Sequence, residues 1–560
     1  MNKNIKISQY ADDTSLFLDG SQKSFETCIR TILEYAKYSG LAMNFQKTKV
    51  IWIGCRNDQN PIFLPHLNLE WNPSTFNILG IEFTTDLVNI TDRNIEAKLI
   101  EMQRAINSWS KRDLTPFGKI VVIRTLIISK IVHILISLPT PSNKIMLKIN
   151  KMLYDFLWDG KPDKIKRTIG KQKLENGGLN MIDIYIFDKA LKVTWIRRIL
   201  RGQQSWKSVI NEMYPDLKVF QSYGDIFVKN ICKSLNNNFW RDVMKYLLEL
   251  MHKISTSTLD EVCATSFLYN SKYKIDNKVI ENPILKNNGI HFISQLMNED
   301  AFLTCDQFNQ KYDLHLDFLT HHAIVRCILR NSKFEELEEG KKLVKHQPVY
   351  QIILKDKKGA HTIYQTFLDS AQECKGKSKW TQTVAISDED WIGSFMLLKR
   401  TTKDTKLRWL QFRITHSILT TNRSVSKFKN EQSHLCTFCN RASETIQHLL
   451  WQCDIVQSFW NKLIEIINKR CKHSHELKLD ETLVLFWVSE FIFTDTVLGL
   501  ILLSSKLYIY KCKVQGTELN LKIFIKELFN RYCVEKIVRK NSVQFKNDWG
   551  PYLDLFKSII

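Results

Sequence analysis

No run of this 560-residue sequence is both long and apolar enough to cross a membrane. The apolar stretch at 120–138 is broken by Arg124, Lys130 and His133, and that at 496–505 is too short for a hydrocarbon core. A secretory signal is lacking too, because Met-Asn-Lys-Asn-Ile-Lys-Ile-Ser leads into no apolar segment with a small-residue cleavage site. Nor is there an excess of acid. Lys and Arg number 80 against 58 Asp and Glu, a formal charge of +22, which excludes an acidic solvating protein. The 13 cysteines are odd in number and irregular in spacing, so they read as reduced intracellular thiols, some of them metal ligands, and not as a disulfide framework. The expectation is an intracellular protein, cytoplasmic or nuclear, with no membrane partner.

What is present supports packed cores. A hydrophobic content of 44% with 11% aromatics excludes wholesale disorder, and the length suggests three to four domains at roughly 150 residues each. With an isoelectric point near 9.3, the surface is suited to phosphate backbones.

Near the start, Ile5 and Ile7 alternate with Lys6 and Ser8, Ala11-Asp12-Asp13 interrupts, and Leu16 and Leu18 resume the period of two. This pattern predicts a β-hairpin with two aspartates at its tip. Adjacent carboxylates at a turn can hold a divalent cation that bridges to a triphosphate; aspartate is also an ordinary turn residue. Phe25, Ile29, Ile32, Leu33 and Ala36 then fall at helical spacing, Ser39-Gly40 closes that helix, and a strand pattern covers 49–53. Tyr10-Ala11-Asp12-Asp13 resembles the palm hairpin of reverse transcriptases, and the hairpin, helix, strand order resembles the rest of that palm. Asn77-Ile78-Leu79-Gly80-Ile81-Glu82-Phe83 is similar to the family's primer-grip hairpin, where Gly80 permits the tight turn. The resemblance implies catalytic roles for Asp12 and Asp13 with Mg²⁺ or Mn²⁺. It also implies that Tyr10, Ala11, Lys47, Lys49, Leu79 and Gly80 lie beside nucleotide and primer, although a solvated strand edge is the preferred reading of Lys47 and Lys49 themselves.

In that family the metal pair is also held by an aspartate from an earlier strand, and only nine residues precede Tyr10. Two metals about 3.5–4 Å apart need carboxylates from both sides. The expectation is therefore an N-terminally truncated copy that does not polymerise DNA alone.

Further on, Ile95, Leu99, Met102, Ile106 and Trp109 mark one face of a helix at 92–110, and Thr115-Pro116 starts a second that ends at Pro139. By resemblance this helical pair is the thumb. Phe156-Leu-Trp158, then Gly177-Gly178-Leu179, Lys189-Ala-Leu-Lys192 and Trp195-Ile-Arg-Arg198 follow an order similar to the second protein of non-LTR (LINE-type) retrotransposons. Lys161, Lys164, Lys166, Arg167, Lys171 and Lys173 lie within thirteen residues, flanked by Trp158 and Trp195. They suit phosphate contact, or equally a solvated face. Residues 202–390 are less informative and show no repeat; the runs at 349–354 and 360–367 suggest a small β-hairpin.

Towards the C-terminus, Cys436, Cys439, His448 and Cys453 form Cys-x2-Cys-x8-His-x4-Cys. The first pair can reach one ion across a tight turn, while His448 and Cys453 fall about one helical turn apart and can complete a tetrahedron. With all four positions filled by protein, the expected Zn²⁺ is structural. His434, Cys471, His473 and His475 are rival ligands. The preceding segment from Leu407 to His416, with His448-Leu-Leu-Trp-Gln-Cys453 and Phe459-Trp460, resembles the zinc module that ends LINE-type reverse transcriptases. The resemblance implies that this module holds the element's own RNA, with Arg408 and Arg413 among the basic contacts; Arg413 and His416 read equally as packed helix residues. A last basic amphipathic helix is predicted at 519–540.

The sequence thus predicts an α+β, mostly α chain. Its expected parts are a partial palm at 1–88, a helical thumb at 89–150, a basic helical connector at 151–205, a helical region of unclear role at 206–390, and a zinc-binding module at 391–560. The expected function is that of a LINE-type RNA-directed DNA polymerase copy, inactive alone but binding an RNA template and a DNA primer. The rivals are a domesticated nucleic-acid-binding zinc module and a non-functional relic. No stable protein partner is inferable.

Overall fold

A computed structural model describes residues 7–11, 13–53, 61–84, 87–202, 205–298, 301–332, 346–368, 372–428, 433–470, 476–488, 495–540 and 542–557. The chain is mostly helical and carries short two-stranded sheets. It divides into two compact units. The first comprises Met1–Gln103, Ile128–Asn150 and Ile184–Asp369, and the second Arg104–Ile127, Lys151–Asp183 and Ser370–Ile560. Among the described residues no helix is long and apolar enough to cross a membrane.

In the first unit β1 (Ile7–Tyr10) pairs antiparallel with β2 (Asp13–Leu16), placing Tyr10 opposite Asp13. Ala11 takes φ +52°, as a two-residue hairpin turn demands. Ser21 then caps the helix Gln22–Ser39 by accepting the Ser24 N–H, and Gly40 at φ +71° ends it. Phe25 and Ile29 of that helix bury against Phe63 and Leu69, with Trp52 and Trp71 packed around them. β3 (Lys49–Val50) runs parallel to β4 (Glu70–Trp71), and β5 (Thr75–Ile78) forms a hairpin with β6 (Ile81–Thr84). Its turn residues Leu79 and Gly80 sit at φ +50° and +77°, so glycine at the second position removes half of the strain that two left-handed residues would carry. No sheet among the described residues has more than two strands.

The helix Ile90–Ser110 buries Ile95, Leu99 and Met102 along the expected stripe. Thr115 caps the next helical run, with Pro116 at its first position. That run passes through a π-turn at Ile123–Ile127 and ends at Ser137, just before Pro139. The helix Ile184–Arg201 is the polar centre of the first unit. Lys192 is fully buried, pairs with Asp188 at 3.0 Å and donates to the Leu135 carbonyl. The Thr140 hydroxyl donates to Asp188 at 2.8 Å and lies 3.0 Å from the Tyr246 hydroxyl, while the Thr140 N–H donates to Asp242. One turn on, Arg197 donates to the carbonyls of Ile353 and Gly359.

Those carbonyls belong to a segment that the sequence misassigns. Residues 349–354 and 360–367 are not strands: Pro348–Lys355 and His361–Phe367 are helices. Pro348 occupies the first helical position, and Val349, Tyr350, Ile353, then Ile363 and Phe367, bury as helix faces. A short apolar run fits either period until its neighbours choose one.

The second unit is built round one large core that includes Trp391, Leu410, Ile414, Leu450, Trp460, Ile501 and Trp549. Gly177 and Gly178 serve its packing. Gly177 has φ +74°, and a Cβ on Gly178 would lie 2.0 Å from the Gln172 carbonyl oxygen, so neither position accepts a side chain. The Gly177 carbonyl lies 2.8 Å from Nε2 of buried His416, which stacks on Phe412 at 4.0 Å. The predicted basic helix occupies Leu521–Val538 and buries Phe524, Ile525 and Leu528.

Candidate metal centre

Four side chains converge in the second unit. The ligand atoms of Cys436, Cys439, His448 and Cys453 all lie within 4.8 Å of one another. Cys436 Sγ is 3.9 Å from Cys453 Sγ, and Cys439 Sγ is 3.3 Å from His448 Nε2. Tetrahedral zinc, with Zn–S about 2.3 Å and Zn–N about 2.0 Å, sets ligand separations of roughly 3.8 Å between sulfurs and 3.5 Å between sulfur and nitrogen. The four residues fit that ion.

Local backbone explains the convergence. Cys436 and Cys439 bracket a tight turn in which the Asn440 N–H donates to the Cys436 carbonyl and Asn440 takes φ +51°. The Cys436 N–H is held by the Ala442 carbonyl, and Leu435 bridges to Ser443. His448 opens a π-turn, His448–Gln452, closed by the Cys453 N–H donating to the His448 carbonyl at 3.0 Å. In an α-helix, residues five apart point roughly 140° away from each other; the wider π-turn brings them to one side. Cys453 then lies just ahead of the helix Asp454–Arg470. The Cys436 thiol donates to the Cys453 sulfur, and the N–H groups of Val456 and Ile455 add to this, so the Cys453 pKa falls to about 5. The same contact pushes the Cys436 thiol up. All four positions come from protein, as a structural site requires.

Glu444 is a functional residue that the sequence did not single out. Fully buried, it accepts from the Asn422 N–H at 2.8 Å and from the Thr437 N–H and hydroxyl at 2.9 and 2.7 Å, with Lys513 3.6 Å away. Thr437 lies between the first two cysteines, so this carboxylate fixes the turn that aims them. A glutamate four residues before the histidine was the available signal.

The other predicted residues do not gather at this centre. Of the rivals, His434 is outside the cluster, and Cys471, His473 and His475 lie outside the described residues. So does Asp12. Asp13, Tyr10 and Ala11 are exposed on the β1–β2 tip, and among the described residues no other group of three or more His, Cys, Asp or Glu side chains converges. Lys47 is exposed in a turn, whereas Lys49 pairs with Glu70 at 3.1 Å. Leu79 and Gly80 form the β5–β6 turn.

In the second unit Arg167 pairs with Asp163 at 2.7 Å, Lys171 with Asp183 at 2.6 Å and Lys173 with Glu175 at 3.5 Å. Lys161, Lys164 and Lys166 are exposed. Arg408 donates to the Thr402 and Lys399 carbonyls. Arg413 is mostly buried beside Trp409 and Tyr510, and burial lowers its pKa.

Residues 376–460, which contain this centre, match the family described as zinc-binding in reverse transcriptase. A curated relative, the transposon TX1 uncharacterized 149 kDa protein of Xenopus laevis, is 23% identical over 291 residues. The match covers 48% of this chain and 21% of that protein, so the chain aligns with about a fifth of its relative's length. Both matches bear out the resemblance read from the sequence: the chain is related to the reverse transcriptases of retrotransposons.

Proposed function

We propose that this retrotransposon-derived chain belongs to a LINE-type, non-LTR reverse transcriptase and binds RNA and DNA through a zinc-organised module. The observation that carries this reading is the convergence of Cys436, Cys439, His448 and Cys453 inside the segment that matches a reverse transcriptase zinc family. Zinc would hold the Cys436–Cys439 turn and the His448–Gln452 turn together, leaving the surrounding basic residues to meet phosphate. The β1–β2 hairpin is the proposed palm tip, the primer grip is β5–β6, and the helices that follow are the proposed thumb and connector. With Mg²⁺ the tip would offer only part of a two-metal cage, since a metal pair needs carboxylates from both sides. Among the described residues no group of three or more metal-ligating side chains converges at this tip, so the proposed role is binding rather than polymerisation.

The test is a salt titration of RNA binding by the purified chain, run beside primer extension on poly-rA/oligo-dT with Mg²⁺ or Mn²⁺. The reading expects no extension and an affinity that falls linearly in log–log form with salt, as counterion release dictates. Extension abolished by Asp13→Ala would show a completed palm, whereas salt-insensitive or absent binding would overturn the nucleic-acid role. Exposure of Asp13 on a two-stranded sheet also favours a second reading, a nucleic-acid-binding module without polymerase chemistry. Under that reading Asp12→Asn with Asp13→Asn changes nothing measurable.

A further inference from the structure

Two basic segments far apart in sequence meet on one indole in the second unit. Lys164 Nζ lies 5.4 Å from the centre of the Trp409 ring, and the Arg413 guanidinium carbon lies 5.9 Å from the same ring and 5.1 Å from that of Tyr510. Trp409 is held in place, stacked on Phe412 at 5.4 Å and packed against Phe117 and Trp158.

Cations brought this close normally come with a carboxylate. Here the acids of the same loop pair elsewhere, Asp159 with Lys119 and Asp163 with Arg167, and Asp159 offsets the Lys164 charge only in part. Among the described residues Lys161, Lys164 and Arg413 have no carboxylate within ion-pair distance. Arg413 Nε is buried with no hydrogen-bond partner. The Lys164 ammonium is held below its ordinary pKa, first by partial burial and then by the charges of Arg413 and Lys161. Positive charge has been gathered here against its own repulsion, and an anion would relieve it.

We propose that Lys161, Lys164 and Arg413 form one phosphate subsite beside the zinc module, which takes a phosphodiester group of a nucleic-acid strand. The proposal rests on the nucleic-acid-binding reading above and selects within it. Arg167, Lys171 and Lys173 are neutralised by acids, and Arg408 is engaged by helix carbonyls. Trp409 is 9% exposed, too little for base stacking, so the contact is with the backbone and carries no sequence preference. Ammonium and guanidinium together suit a phosphate, one as a point charge and one as a planar fork.

The experiment uses the full chain with zinc and measures anisotropy of a mixed-sequence single-stranded RNA, and of the same sequence as DNA, over a range of salt. Lys161→Gln with Lys164→Gln, both at exposed positions, should flatten the slope of log affinity against log salt by about 1–2. The loss should be equal for RNA and DNA. Lys469→Gln, at an exposed lysine paired with Glu465 and outside the basic segments, should leave the slope unchanged. Arg413→Lys should retain more binding than Arg413→Gln. An unchanged slope in the double variant would overturn the subsite while leaving the nucleic-acid reading standing; a loss confined to RNA would overturn the phosphate assignment. Wild-type chain that shows no salt-dependent binding would overturn both.

Discussion

The β1–β2 tip and the zinc turn are each short stretches with chemistry-bearing side chains, yet they are built differently. At the tip, both strands face solvent along nearly their whole length, the sheet has two strands among the described residues, and Asp13 is exposed. A hairpin of that kind is marginal without further strands or a packed face. At the zinc turn, Cys436 and Cys453 are 1% and 0% exposed, a buried glutamate ties the turn to two other segments, and a π-turn aims the histidine. The contrast teaches that a motif is a site only where the fold enforces it. The enforced site here is the metal centre.

That contrast can be broken in graded steps. The largest effect should come from the metal. Chelation of zinc, or Cys439→Ser, is expected to destabilise the second unit by several kcal/mol, because binding free energy at a structural site is folding free energy. A thermal melt followed by zinc analysis checks this. Next is pH. Buried His416 has its pKa lowered to about 4 by desolvation, partly offset by the Gly177 carbonyl. The folded chain therefore keeps His416 neutral, whereas the unfolded chain takes up a proton below about pH 6.5. Stability is full above that value and falls as pH drops towards 4, by about 3 kcal/mol at the limit. His416→Gln should flatten the urea midpoint between pH 7 and pH 5, while Asp13→Asn leaves the profile as it was.

Smaller still is Glu444→Gln. It keeps the shape but loses the charge that accepts the Thr437 and Asn422 donors, and it should weaken zinc affinity about 10–100-fold, the usual cost of losing an outer-shell partner. Competition with a chromophoric chelator measures it. Least of all, Asp13→Asn should shift stability by less than about 0.5 kcal/mol, as exposed substitutions do. A larger shift would show that the hairpin is packed in a way its exposure does not indicate.

The sequence was informative where cause is local. Turn residues announced both hairpins, Thr115-Pro116 announced its helix, and the four ligands lie within eighteen residues of each other. It was silent where partners are distant. Glu444 looks like a surface acid until Asn422, Thr437 and Lys513 surround it. Lys192, read as part of a basic helix, is wholly buried because Asp188 and the Leu135 carbonyl receive it. Residues 349–354 were too short for their period to be decided locally, and the carbonyl-capping Arg197 lies in another helix. Even the metal motif hid one detail: His-x4-Cys matches an α-turn poorly, and the π-turn that corrects it is a backbone feature without a residue signature.

The most direct measurement is a cobalt titration of the zinc-free full chain. The expected result is one equivalent bound with the absorption of a tetrahedral site of three sulfurs and one nitrogen, displaced by zinc and weakened by Glu444→Gln. Absence of stoichiometric binding, or an octahedral spectrum unaffected by Cys439→Ser, would contradict it.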